Sequence, residues 1–421
     1  MKRIYLDHAA TTATDKEVLK AMLPYFSQVS GNPSALHFDG RQAKEALDSA
    51  RQRMAKIINA EANEIIFCSS GSESDNLAIL GAARLYKNKG NHLVSTSIEH
   101  HAVLNPLEHL EKKEGFRVSV LAVESNGIIN LERILASLGP ETILISVMYA
   151  NNEIGAIQPI KGIAELIKKW KEKNNRGSIE PPFLHTDACQ AAGYLDLDVK
   201  RLGVDLMTLN GSKIYGPKGV GMLYVRRGIG LQPIVHGGGQ ERGLRSGTEN
   251  LAGIVGFAKA LELAQKQRKE ESARLRALRD YFFEQILKNI PKTFINGDLK
   301  NRLPNNVNVS ILDIEGEAAL LYLDDQGISA STGSACDSSR LEPSHVILAL
   351  GRPYEYAHGS LRFTTGKETT KKEIDYAVKA LKEIVEKLRK ISPLNIQIGD
   401  DKTLVGKKVF IQSGRPHWER K

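Results

Sequence analysis

The stretch TLNGSKIYGPKGVG, residues 208–221, decides how this chain is read. It opens on strand-forming residues, sets Lys213 among small polar ones, and then turns on Gly216, Pro217 and Gly219. Gly and Pro punctuate turns because one tolerates unusual backbone angles and the other fixes them. The lysine therefore stands just past the end of a strand. Two readings are open at this point: a solvated lysine on a surface turn, or a lysine placed to form a Schiff base.

Working outward, helical and strand patterns alternate. Apolar positions three and four apart predict helices over 34–59, 75–90, 101–115 and 160–175. Short β-branched and apolar runs predict strands within 64–70, 92–100, 117–125, 142–147, 183–190, 205–211 and 220–227. This alternation predicts an α/β fold with a mostly parallel sheet covered by helices. In such sheets the ligand crevice lies beyond the carboxyl ends of the strands.

From about residue 260 the pattern changes. A charged helix over 259–287 leads into strand-like runs NNVNVSIL (305–312), GISASTG (327–333) and SLRFTTG (360–366), and then into a second charged helix over 370–391. We expect a large domain over 15–260. Residues 1–14 and 261–392 form a smaller α+β domain, with the long helix as hinge. Residues 393–421 are a basic tail of unknown role, in which LVGKKVFIQSG (404–414) is a candidate added strand.

Composition narrows the function classes. Hydrophobic residues make up 41% of the 421 and charged ones 25%, as in ordinary soluble proteins. No run of about 18 apolar residues is present, so no membrane span is expected. The start MKRIYLDHAATT turns polar too early for a signal peptide, which points to the cytoplasm. The net charge of +9 is spread along the chain and not gathered in a block, so nucleic acid is not the expected partner. Cys68, Cys189 and Cys336 are too few for a disulfide framework and lack the paired spacing of a zinc site. Free thiols and no bound metal are expected.

Four features bear on Lys213. CSSGSESDN (68–76) joins a strand to a helix, and small residues there expose N–H groups to an anion such as phosphate, or simply cap the helix. Asp187, at the end of FLHTDACQ, can pair with a protonated ring nitrogen or act as an N-cap. His100, in SIEHHAVL, can stack on a flat ring and move protons, or be a packed histidine. Lys213 is the fourth. A lysine, an acid and a helix start on strand ends of one sheet are what pyridoxal phosphate requires together. Cys336, in ISASTGSACDSS, lies among small polar residues. That suits either an ordinary loop cysteine or a nucleophilic thiol. Cys68 and Cys189 read as structural.

With these residues in view, the chain resembles the cysteine desulfurases of the NifS/IscS type, in the class V branch of fold-type I pyridoxal-phosphate enzymes. The resemblance rests on YLDHAATT (5–12), GNPSALHFDGRQAKEA (31–46), SGSESDN (70–76), EHHAVL (99–104), NNEIG (151–155), HTDACQ (185–190), GSKIYGPKGVG (211–221), HGGGQERGLRSGTEN (236–250), STGSAC (331–336) and SLRFTTG (360–366). It covers over nine tenths of the chain, in the family's order.

The resemblance implies roles position by position. Lys213 corresponds to the Schiff-base lysine and His100 to the residue that stacks on the ring and shuttles protons. Asp187 corresponds to the partner of the pyridine nitrogen and Gln190 to the contact of the ring hydroxyl. Gly71, Ser72, Asn210 and Ser212 match phosphate-holding positions, and Thr248 matches one reached from a neighbouring subunit, which implies a homodimer. Asn152 and Arg362 match the contacts of the substrate carboxylate, with Asn32 close by. Cys336 matches the sulfur-receiving cysteine.

The implied reaction takes L-cysteine to L-alanine and leaves a persulfide on Cys336. The implied sulfur acceptor is an iron–sulfur scaffold protein or a tRNA-thiolation enzyme. Three departures stand out. Ser212 replaces the family's usual His, Asn210 its usual Ser, and SSGS (69–72) its SGAT or SGGT. A related lyase or aminotransferase that does not use the loop cysteine is the alternative reading. An idle scaffold or RNA-binding chain is a third, and it leaves Lys213, Asp187, His100 and Cys336 unexplained.

Overall fold

A computed structural model describes residues 3–332 and 343–392. The strands in chain order are β1 Ile4–Tyr5, β2 Ile65–Cys68, β3 His92–Thr96, β4 Arg117–Leu121, β5 Thr142–Ser146, β6 Phe183–Asp187, β7 Leu206–Asn210, β8 Gly221–Val225, β9 Thr293–Ile295, β10 Asn306–Ile311, β11 Ile328–Ser329 and β12 Ser360–Thr364. Seven of them form one sheet in the order β2-β8-β7-β6-β5-β3-β4.

The strand runs are continuously apolar because both faces of this sheet are covered. Alternation along each strand divides the core in two. Ile66, Leu93, Leu144, Phe183, Leu206 and Leu223 pack with Leu77, Ile79, Val103 and Leu107 of the helices Gly71–Leu85 and His101–Glu114. Phe67, Val94, Ile145, Leu184, Met207 and Met222 pack on the other face with Leu47, Met54, Ile163 and Phe257, from the helices Phe38–Ile57, Ile160–Lys173 and Leu251–Asn289.

The sheet is parallel except at β8, which runs antiparallel to both β7 and β2. The reason lies in the connecting segment. A parallel crossover needs a dozen or more residues, and residues 211–220 offer only a short 3-10 turn, Gly211–Lys213, followed by the Gly-Pro-rich bend. The chain must therefore double back. Lys213 is held in that reversal, at the carboxyl end of β7.

The remaining strands form a separate antiparallel sheet in the order β12-β10-β9 and a parallel pair, β1-β11. Val307, Val309, Leu361 and Phe363 build a second core with Ile374, Leu381 and Val385 of the helix Lys371–Ile391. Leu6, at the chain start, packs in this core as well. The helix Leu251–Asn289 begins earlier than the charged pattern from Lys259 suggests. Its first turns bury Leu251, Ile254 and Phe257 in the first core, and its end buries Phe282, Phe283 and Ile286 in the second. Among the described residues of GISASTG, only the two of β11 are strand. The helix expected from Asp75 starts at Gly71, and it stops at Leu85 because the KNKG segment turns away. The candidate strand 404–414 lies outside the described residues. No helix among the described residues is long and apolar enough to cross a membrane.

One buried ion pair fastens the segment 236–250 to this scaffold. Arg51 donates from both terminal nitrogens to Glu241, at 2.7 and 2.6 Å, and Phe67 N–H donates to the same carboxylate at 2.9 Å. Removing one partner of such a pair leaves an uncompensated buried charge. Glu241→Ala should therefore lower stability by about 3–5 kcal/mol, read from chemical denaturation. A loss under about 1 kcal/mol would be the exposed-pair result and would contradict this assignment.

Candidate active site

The site forms where β6 and β7 end and the helix Gly71–Leu85 begins. Ser70 caps that helix, its side chain accepting from Glu73 N–H. The N–H groups of the first turn have no intrahelical acceptor. Gly71 is required by close approach: a Cβ there would come within 2.9 Å of Cys189 Sγ and 3.5 Å of Asn210 Nδ2. Asn210 Oδ1 accepts from Ser212 N–H at 2.9 Å and from Ser212 Oγ at 3.0 Å. The Asn210 amide is thereby oriented with its Nδ2 toward the helix start. Ser72 is exposed on the same turn, and its carbonyl accepts from Asn76 Nδ2.

Lys213 is held from the chain's own beginning. Its Nζ donates to the carbonyls of Ala9 and Ala10, at 3.0 and 2.5 Å. Gln190 Nε2 donates to the same Ala9 carbonyl at 2.9 Å. Thr12 is stitched to the reversal as well: its N–H and Oγ donate to the Ser212 carbonyl, and its Oγ accepts from Tyr215 N–H. Nothing in the sequence assigned Ala9 or Ala10 a place, because backbone carbonyls carry no side-chain signal.

Asp187 closes β6, and its Oδ1 accepts from Cys189 N–H at 2.9 Å. His100 caps the helix His101–Glu114 with Nδ1 accepting from Ala102 N–H at 3.0 Å. With Nδ1 accepting, a neutral imidazole carries its proton on Nε2. Burial lowers the His100 pKa, Asp187 opposes that shift, and His101 and Lys213 add to it. His100, Asp187 and Lys213 therefore lie within one electrostatic neighbourhood.

Beneath Asp187 lie further acids that the motif reading passed over. Burial pushes Glu99 up to about 8, and burial together with Asp187 holds Asp75 well above the usual carboxylate range. Burial thus disfavours further negative charge beside Asp187. His185 sits on the same face, with Ser146 Oγ at 2.8 Å and Thr208 Oγ at 3.1 Å, and burial pushes it down to about 4. A polar residue inside the apolar run FLHTD was the available signal.

Arg362 lies on β12, almost wholly buried. Its Nη1 donates to the Asn152 carbonyl at 3.0 Å and its Nη2 to Asp7 Oδ1 at 2.9 Å. Asn152 thus meets Arg362 through its backbone. The structure brings together Lys213, Gln190, Asp187, His100, Asn210, Ser212 and Gly71 at one strand edge, with Arg362 and Asn152 joined through the chain start. Two predicted residues are not drawn in. Asn32 is exposed and its Oδ1 accepts only from Ser34 N–H among the described contacts, while Thr248 is exposed on the 236–250 segment. Cys336 lies outside the described residues. Among the described residues no group of three or more His, Cys, Asp or Glu side chains could hold a metal ion.

Residues 4–377 match the model of the aminotransferase class-V family. The chain belongs to that family. Within it, a relative from Clostridium botulinum named cysteine desulfurase IscS is 50% identical, over 93% of this chain and 97% of its own. One of the same name from Methanosarcina thermophila is 48% identical, over 93% and 94%. A solved NifS-like protein superposes with a TM-score of 0.84 at 35% identity, over 91% of this chain and 99% of that one. A NifS-like protein from Rickettsia africae gives 0.79 at 30% identity, over 91% and 99%. This class-V chain is therefore one of the cysteine desulfurases of the NifS/IscS type.

The two described cysteines have a plain chemical consequence. Burial pushes the Cys68 thiol up to about 12 and the Cys189 thiol well above its ordinary value. Both stay protonated at pH 8, and the thiol is the unreactive form. Iodoacetamide added to the native protein at pH 8 should leave both unmodified by peptide mass mapping. Modification of either in the folded protein would contradict their burial.

Proposed function

We propose that this class-V protein is a pyridoxal 5'-phosphate-dependent cysteine desulfurase, with the following division of labour. The observation that carries the reading is the convergence of Lys213, Asp187, His100 and a helix start at the carboxyl edge of one sheet. The donor set fits the cofactor. The Gly71–Ser72 turn presents N–H groups and the positive end of a helix to a phosphate, and Asn210 and Ser212 supply polar atoms beside it. Asp187 is the acid for the ring nitrogen and Gln190 the amide for the ring hydroxyl. When bound, the cofactor supplies an electron sink for chemistry at the substrate's α-carbon.

The chain's own residues do the rest. Lys213 provides the amine that fixes the cofactor, and the Ala9 and Ala10 carbonyls orient that amine beforehand. Lys213 or His100 moves the α-proton. With Nδ1 already accepting from Ala102 N–H and the proton on Nε2, His100 can give a proton but not take one, so the amine of Lys213 is the acceptor. Arg362 and Asn152 hold the carboxylate, with Asn32 near the entrance. The Cys336 thiolate attacks the sulfur of L-cysteine. The C–S bond breaks, the sulfur stays on Cys336 as a persulfide, and L-alanine leaves. Ser212 and Asn210 stand where the family has His and Ser, and the Ser212–Asn210 hydrogen bonds make the substitution coherent, because Asn210 keeps a donor toward the phosphate turn.

Three finer points belong to the same reading. Thr248 serves the phosphate of the other subunit in a homodimer, which accounts for its exposure in a single chain. The persulfide passes to an acceptor protein, an iron–sulfur scaffold or a tRNA-thiolation enzyme. The reaction takes place in the cytoplasm.

The test is product analysis. The cofactor-loaded protein is given L-cysteine and a reductant, and alanine and sulfide are measured. Both should form in equal amounts. Cys336→Ser should lower both rates on the order of a hundredfold or more, as expected for loss of a covalent nucleophile. Equal turnover by the variant would favour a class-V lyase that does not use this thiol.

A further inference from the structure

The guanidinium assigned to the substrate carboxylate already faces an acid of the chain's own. Asp7 Oδ1 accepts from Arg362 Nη2 at 2.9 Å, and the two side chains are 18% and 3% exposed. The geometry is built from both sides. Asp7 bridges to Thr364, two residues beyond Arg362 on β12. Thr364 N–H donates to the Leu6 carbonyl at 2.7 Å, and Ala9 N–H donates to Thr364 Oγ at 2.9 Å. Tyr5 OH donates to the Asp7 carbonyl at 3.1 Å. The other nearby acid, Glu153, makes no hydrogen bond to Arg362 among those described: its carboxyl accepts from Ser344 Oγ at 2.5 Å, and burial pushes it up to about 7 against the opposing pull of Ser344 and the Arg362 charge.

A guanidinium has five N–H donors. Arg362 uses Nη2 on Asp7 and Nη1 on the Asn152 carbonyl, and its buried Nε has no hydrogen-bond partner. Enough donors remain for one incoming carboxylate to bind in a two-pronged fashion. That carboxylate meets an arginine whose charge is partly offset.

We propose that Asp7 is a positioning residue that acts through Arg362, aiming the guanidinium and weakening its hold on the α-carboxylate of the amino-acid substrate and product. This rests on the reading of Arg362 given above. An isosteric amide separates the two effects. Asp7→Asn keeps an oxygen that accepts from Nη2 but removes the negative charge, whereas Asp7→Ala removes both.

The experiment is an equilibrium titration of the cofactor-loaded protein, following the absorbance of the bound cofactor. The probes are L-alanine, which carries the carboxylate, and ethylamine, which lacks it. Asp7→Asn should bind L-alanine roughly three- to tenfold more tightly than the wild type, as expected when a charge next to an interacting pair is removed. Ethylamine affinity should not change, and KM for L-cysteine should fall in step. Asp7→Ala should bind L-alanine more weakly than Asp7→Asn. Arg362→Lys is the control for the underlying assignment. If it weakens L-alanine binding while Asp7→Asn leaves it unchanged or weaker, the role given to Asp7 is overturned. If Arg362→Lys has no effect on L-alanine, the carboxylate assignment itself fails. Should Asp7→Asn not retain the cofactor, Asp7→Ser removes the same charge and is judged by the same criterion.

Discussion

The connection from β7 to β8 is too short to cross the sheet, and much else depends on that. It turns β8 antiparallel between β7 and β2. It also leaves Lys213 at the carboxyl edge, where a crossover helix would have carried the chain away. Gly221, the first residue of β8, pairs with Cys68 at the end of β2, and a Cβ on it would come within 2.5 Å of the Ser70 carbonyl. The reversal that holds the lysine is thus pressed against the cap of the phosphate-ready helix. A bulky residue at either glycine would separate the two.

The second dependence is on residues 4–12. They pair with β11 and β12 on one side and with the Lys213 reversal on the other. Ala9 and Ala10 face Lys213, Thr12 holds Ser212 and Tyr215, and Asp7 holds Arg362. One short segment, turning at residues 8–10, therefore connects the group that would anchor the cofactor to the group that would anchor the substrate. The electrostatics run alongside. Lys213 and Arg362 supply the cations, and burial raises Asp75 and Glu99, disfavouring their charged forms. The charged chemistry is thereby concentrated on Asp187 and its neighbours.

Much of this was legible in the residues. The alternation of apolar runs gave the parallel sheet, since both-face burial makes strands continuous and helices periodic. Gly and Pro marked the reversal at 216–219, and polar residues on strand ends marked Asp187 and His100. The contacts that complete the site were not legible. Ala9 and Ala10 act through carbonyls, and the Asp7–Arg362 pair joins residues more than three hundred positions apart. The bond from Arg362 to the Asn152 carbonyl was equally hidden, since a backbone oxygen carries no side-chain signal. Asn32 and Thr248 matched by motif alone, and a single chain gives neither a partner in the site. The start of the long helix at Leu251 was hidden for a related reason: its first turns are apolar all round because they are buried, so the amphipathic pattern begins only later.

The central claim is that Lys213 is the residue that binds the cofactor's carbonyl. The direct measurement is borohydride reduction of the pyridoxal-phosphate-loaded protein, followed by protease digestion and mass mapping of the labelled peptide. The account predicts one phosphopyridoxyl group per chain, on Lys213 in the peptide that contains GSKIYGPK. A label on any other lysine, or no label on a protein that shows bound cofactor, would contradict it.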